Sequence, residues 1–157
     1  MAKIKATEER TLSVAAAMAD VYQFFASPAR IRELTPDVEQ FEMADEHTAH
    51  WVFVEKVEKG VRYGPEYTAV YTGNGTDKVE WCSQGEGNME VDGVVTLREL
   101  GPGQTEFHYR ETVIPDLPIS KLTAIIFKPI VARELRQDIG KFLDRVVEHF
   151  GGKAPTE

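Results

Sequence analysis

The sequence is short of the residues that staple a fold, hold a metal or anchor a chain. It has one cysteine, Cys82, so no disulfide closes within it, and a reducing compartment such as the cytoplasm fits. It has four histidines, His47, His50, His108 and His149. His47 and His50 stand three apart on a predicted strand, which turns them to opposite faces. No Cys-x-x-Cys or His-Glu-x-x-His occurs, so no metal and no cofactor is expected. Positive charge is scarce: 18 Lys and Arg stand against 26 Asp and Glu, a net charge of −8. That balance argues against nucleic acid and anionic membrane surfaces as partners. No apolar run approaches the ~18 residues of a transmembrane helix, and the first residues lack a signal-peptide pattern. No G-x-S-x-G elbow is present, and no histidine lies near Cys82 in sequence, so a nucleophilic triad has no support.

What is present is glycine in a pattern. Gly73-Asn74-Gly75, Gly85-Glu86-Gly87 and Gly101-Pro102-Gly103 each separate stretches that alternate apolar and polar. Glycine reverses a chain without steric cost, so these stretches are predicted to pair as an antiparallel meander. The glycine pairs are not phosphate loops: Lys78 and Glu90 stand where a third glycine is needed. The predicted strands are Ile4–Val14, Val38–Ala44, His47–Glu58, Arg62–Thr72, Val79–Ser83, Met89–Leu100 and Gln104–Ile114. Two short helices, Ala16–Ala26 and Pro28–Leu34, follow the first strand.

A long helix is predicted from about Ile119 to Phe150. Leu122, Ile126, Ile130, Leu135, Ile139, Phe142, Val146 and Phe150 recur at helical steps, mostly of four. At ~1.5 Å per residue the segment spans roughly 45 Å, the width of a small domain. Pro129 removes one amide donor and crowds the Ile125 carbonyl, so a kink or break is expected near Phe127-Lys128. Residues 1–151 read as a single domain, and 152–157 as a disordered tail.

This order of elements, with its local motifs, resembles the START/Bet v 1-like (SRPBCC) superfamily, and within it the polyketide cyclase/dehydrase-like group. The motifs are Val14-Ala15-Ala16 leading into Asp20-Val21-Tyr22-Gln23-Phe24-Phe25-Ala26-Ser27-Pro28, then Val79-Glu80-Trp81 with Gly85-Glu86-Gly87, then Gly93-Val94-Val95-Thr96-Leu97, and Gly103-Gln104-Thr105-Glu106-Phe107. The resemblance covers nearly the whole chain. It implies an α+β helix-grip fold, in which a seven-stranded antiparallel sheet curls around the C-terminal helix. It also implies a hydrophobic cavity between them. The superfamily shares no catalytic motif, so resemblance narrows the ligand to something apolar and stops there.

Two further signals bear on the site. Trp51, Phe53, Tyr63, Tyr67, Tyr71, Trp81, Phe107 and Tyr109 fall on predicted inner faces, which suits an apolar ligand carrying a few oxygens. Charge also interrupts those faces. Glu55 is in phase with Phe53 and Val57, Glu111 is in phase with Tyr109 and Val113, and Arg10 is placed to pair with Glu111 across the first and last strands. A carboxyl in an apolar cavity titrates high and becomes a candidate acid or base. The expected ligand-binding set is Trp51, Phe53, Glu55, Tyr67, Tyr71, Trp81, Tyr109, Glu111, Leu122, Ile126 and Ile130, with Glu111 and Tyr109 as catalytic candidates. Near Pro129, residues 113–119 and Ile125-Ile126-Phe127 are expected to form an apolar gate.

Three functions stay open: binding of a small hydrophobic or aromatic ligand of lipid or polyketide kind, a cyclase/dehydrase-type enzyme, and an interaction subunit with a filled core. A homodimer is compatible with each.

Overall fold

The computed structural model describes residues 1–153. Ten strands and three helices follow in order: β1 Ala2–Lys3, β2 Ala6–Val14, α1 Met18–Phe25, α2 Pro28–Leu34, β3 Val38–Met43, β4 Thr48–Phe53, β5 Lys56–Glu58, β6 Val61–Tyr63, β7 Glu66–Gly73, β8 Lys78–Gln84, β9 Met89–Gly101, β10 Gln104–Leu117 and α3 Lys121–His149. The main sheet is antiparallel in the order β1-β10-β9-β8-β7-β4-β3, with β2 also on β10. β1 and β2 hold the same register on β10, Ala2 opposite Leu117 and Ala6 opposite Val113, so eight segments fill seven strand positions. This is the α+β helix-grip arrangement.

The turns follow from local chemistry. One glycine of each G-x-G tripeptide, namely Gly75, Gly85 and Gly103, takes a positive φ that side-chain-bearing residues avoid. α2 starts with Ser27 as N-cap and Pro28 in its first turn. α3 starts at Ser120, whose Oγ accepts from the Thr123 amide at 3.1 Å. It ends at Gly151 with positive φ, where the Gly152 amide donates to the Val147 carbonyl at 2.8 Å. Gly152 and Lys153 are tied back as well: Gly152 accepts from the Ala15 amide at 3.1 Å and Lys153 bridges Val14. Structure therefore continues past the expected boundary at 151; residues 154–157 of the expected tail lie outside the described part.

Two predicted strands are each two. The His47–Glu58 strand stops at Phe53, because the Val54 amide turns to the Asp37 carbonyl at 2.8 Å. The Arg62–Thr72 strand is interrupted at Gly64-Pro65, since proline has no amide for a ladder. The freed pieces pair with each other as the β5–β6 hairpin, separate from the main sheet.

The core lies between the concave face of the sheet, α1 and the second half of α3. From α3 it receives Leu135, Ile139, Phe142, Leu143 and Val146; from α1, Val21, Phe24 and Phe25. A smaller cluster joins Phe127 to Ile4 and Leu117. α3 runs through Pro129 as one helix, so of the expected kink or break no break occurs. Both Pro129 and Ile125 are exposed, so water reaches the carbonyl that the missing amide leaves free.

Candidate functional site

Between the sheet and α3 lies a cavity of about 260 Å³. A single water needs only ~10–15 Å³ of such space, so the interior is not packed solid. The cavity exists because strands curl around a helix whose inner residues do not reach every strand. Period-two alternation on β4, β7, β8 and β10 aims aromatic residues into it.

Trp51, Phe53, Tyr67, Tyr71, Trp81, Tyr109, Glu111 and Ile130 all line this cavity. The rings form two rows. Trp51 stacks on Phe53 with centroids 5.8 Å apart, and Phe53 on Tyr67 at 6.0 Å. Tyr71 stacks on Trp81 at 6.2 Å, Trp81 meets Tyr109 at 5.2 Å, and Tyr109 meets Phe142 of α3 at 6.0 Å.

Glu111 is the polar centre. Its Oε2 accepts from Trp81 Nε1 at 3.0 Å and from the Tyr109 hydroxyl at 2.9 Å. Burial pushes its carboxyl above the ordinary 4.5; the hydrogen bonds from Tyr109 and Trp81 oppose that rise, and the Asp138 charge adds to it. The register explains the arrangement. Trp81 on β8, Gly93 on β9 and Glu111 on β10 stand in one cross-strand row. Gly93 has no side chain, and the place its Cβ would take is filled by the Trp81 indole. The indole thus crosses β9 and reaches the carboxylate two strands away. A glycine inside a strand is the sequence signal of such a close approach, and it was available in the Gly93-Val94-Val95 run.

Glu8, not Arg10, stands opposite Glu111, so the expected Arg10–Glu111 pair does not form. Arg10 is opposite Tyr109; its Nε lies 3.8 Å from Glu8 and its Nη2 donates to the Arg136 carbonyl at 3.4 Å. Among the described residues Glu111 has no cation partner.

Three expected lining residues lie elsewhere. Glu55 falls in the break between β4 and β5, is exposed, and pairs with Arg62 at 3.1 Å. Val57, expected to share its face, is exposed too. Leu122 and Ile126 are 77% and 57% exposed, and Ile125 is 70% exposed. In this first part of α3 the inward residue is Phe127, which lines the cavity with Ile130 and Val131. The four-residue steps from Leu122 describe the wrong face there, because a helix turns slightly more than one revolution in four residues. The expected gate therefore has only Phe127 of its three helical members at the cavity.

The charged edge of the cavity carries no signal in the sequence pattern. Lys56 of β5 reaches Glu134 at 3.2 Å, Asp138 at 3.5 Å and Asp37 at 3.7 Å. Arg133 bridges Glu58 at 3.2 Å and Glu134 at 3.3 Å. Lys56 with Glu134 and Asp138, and Arg133 with Glu58, join the β5–β6 hairpin to α3 at the half-exposed edge of the cavity. Burial raises the Asp138 carboxyl, an effect that Lys56 opposes. Among the described residues, no group of His, Cys, Asp and Glu has the geometry of a metal site, and no helix is long and apolar enough to cross a membrane. Cys82 is exposed on the outer face of β8.

Neither a protein-family model nor a curated protein matches the chain by sequence. Solved structures match by shape. A START superfamily protein from Mycobacterium smegmatis superposes with a TM-score of 0.65 at 14% identity, over 91% of this chain and 97% of the other. The Zhui aromatase/cyclase from Streptomyces sp. R1128 gives 0.64 at 14% identity, over 92% and 90%. Norcoclaurine synthase from Thalictrum flavum gives 0.62 at 12% identity, over 93% and 86%. The fold is START/Bet v 1-like. Identities this low carry the likeness to architecture alone.

Proposed function

We propose that this chain binds a small hydrophobic or aromatic molecule, of lipid-like or polyketide-like kind, in the cavity between sheet and α3. The observation that carries the reading is the unfilled, aromatic-lined space itself. Apolar walls with a few convergent polar groups are the usual form of a small-molecule site. Aromatic rings supply large contact area with little rotamer freedom to lose. The structural neighbours include a START superfamily protein and an aromatase/cyclase, which supports the reading. The exposed thiol of Cys82 suits a reducing, cytoplasmic setting.

The test is native mass spectrometry of gently purified protein, with organic extraction of any adduct, followed by titration with the neutral fluorophore N-phenyl-1-naphthylamine. Saturable binding near one per chain is expected. Tyr67→Ala combined with Tyr109→Ala is expected to weaken it at least about tenfold, as two buried aromatic contacts are lost. Unchanged affinity in that double variant refutes the lining.

One observation favours a second reading, an enzyme of cyclase/dehydrase kind. Glu111 is a cavity carboxyl that burial raises above its ordinary 4.5, and it is hydrogen-bonded to Tyr109, the form of a general acid or base. It requires turnover of an extracted ligand at a rate that follows one titration. A rate unchanged in Glu111→Gln excludes Glu111 as the proton carrier.

A further inference from the structure

The polar groups of the cavity are unequal in sign. Asp37, Glu58, Glu111, Glu134 and Asp138 stand on its walls, and Lys56 is the one cation among the lining residues. At the charged edge, Lys56 is shared among three carboxylates and Arg133 between two. Deeper in, Glu111 has no cation partner among the described residues. Both donors that reach it go to Oε2. Its Oε1 has no hydrogen-bond partner among the described residues and is not occluded by protein, so it is open to the cavity that Glu111 lines.

Two tyrosines add a second, independent sign. Tyr67 and Tyr71 are 8% and 6% exposed; the Tyr71 hydroxyl faces the Trp51 indole N–H, and the Tyr67 hydroxyl has no hydrogen-bond partner among the described residues. Among occluded side-chain atoms of the described residues only Trp51 Nε1 lacks a partner, so the Tyr67 hydroxyl keeps open surface, and that surface is the cavity's. The Glu111 charge adds to burial in raising both phenols, so the three groups converge on one region. Unpartnered acceptors deep in an apolar pocket mark where a ligand's donor belongs. A carboxylate oxygen, phenol oxygens and aromatic faces together favour a donor that is positively charged.

We propose that the cavity selects a ligand with an apolar, preferably aromatic, body and a protonated amine, with the ammonium held at Glu111 Oε1 beside the Tyr67 and Tyr71 hydroxyls. This rests on the cavity being a small-molecule site. The acidic edge fits the same ligand, because a cleft of one sign draws in the opposite charge. The cation would also bring the buried Glu111 the counter-charge that Arg10 does not supply.

The experiment compares three molecules with one body: 4-phenylbutylamine, 4-phenylbutan-1-ol and 4-phenylbutanoate. Each is titrated at neutral pH against N-phenyl-1-naphthylamine bound to the full chain. The amine is expected to displace the fluorophore at a concentration about tenfold lower than the alcohol, the step from a neutral to a charge-assisted hydrogen bond. The carboxylate is expected to be weakest. In Glu111→Gln the amine's advantage over the alcohol is expected to vanish, with an unchanged near-UV circular dichroism spectrum reporting an intact cavity. In Asp138→Asn the advantage is expected to shrink and not to disappear. Equal displacement by all three, or preference for the carboxylate, overturns the amine assignment and leaves the cavity's role as a binding site standing. An advantage undiminished in Glu111→Gln overturns Glu111 as the anchor. If the fluorophore and all three molecules fail to bind, both the amine assignment and the binding reading are wrong.

Discussion

Replacing Gly93 by alanine is the sharpest perturbation of this architecture. The new methyl group would occupy space that the Trp81 indole fills. Backbone cannot yield easily, since Gly93 is paired with Trp81 on one side and Glu111 on the other. The indole must therefore move, and its 3.0 Å bond to Glu111 Oε2 breaks. Losing a hydrogen bond to a buried carboxyl costs about 1.5–3 kcal/mol. Overpacking a tight site costs about 1–3 kcal/mol more. Removing a glycine from a strand interior returns about 0.5–1 kcal/mol through the unfolded chain. The cost wins, and Gly93→Ala is expected to destabilise the fold by about 2–5 kcal/mol. Urea denaturation measures this, and near-UV circular dichroism reports the indole's displacement. A loss below about 0.5 kcal/mol with an unchanged near-UV spectrum would show that Trp81 does not depend on the gap over Gly93.

Other predictions follow from the same contacts. Burial holds the Glu111 carboxyl above 4.5, so in the window from there up to its raised value the native state binds more protons than the unfolded chain. Stability then falls as pH rises through that window, and Glu111→Gln is expected to remove this part of the slope in a urea–pH series; a slope identical to the parent's contradicts the burial. Tyr109→Phe deletes the 2.9 Å bond to Glu111, with an expected loss of about 1–2 kcal/mol at neutral pH and a window extended upward, because that bond holds the carboxyl down. The phase of α3 is tested by neighbours: Phe127→Ala is expected to cost about 3–5 kcal/mol as a buried aromatic, and the exposed Ile126→Ser within about 0.5 kcal/mol. Comparable losses at both positions would place the helix in another rotation.

The meander, its turns, the long helix and the inward aromatic faces are all legible in the amino-acid order. Those features are local: a glycine reverses the chain where it stands, and alternation along one strand says which residues share a side. The same order carries Glu111 as an acid on an apolar face. Tertiary structure alone decided which acid faces the cavity. Glu55 and Glu111 have the same phase with their aromatic neighbours, but β4 ends before Glu55, where Val54 turns to Asp37. It decided the partner of Glu111 as well, because register puts Glu8 opposite it, and a bare glycine lets an indole arrive from two strands away. It set the rotation of α3 before Pro129, where Phe127 and not Ile126 meets Ile4 and Leu117. The charged edge depends on Lys56 meeting Asp138, 82 residues apart in the chain. Periodicity within one segment carries no information about which distant segment will lie against it, so contacts of that range exist only once the sheet has closed on the helix.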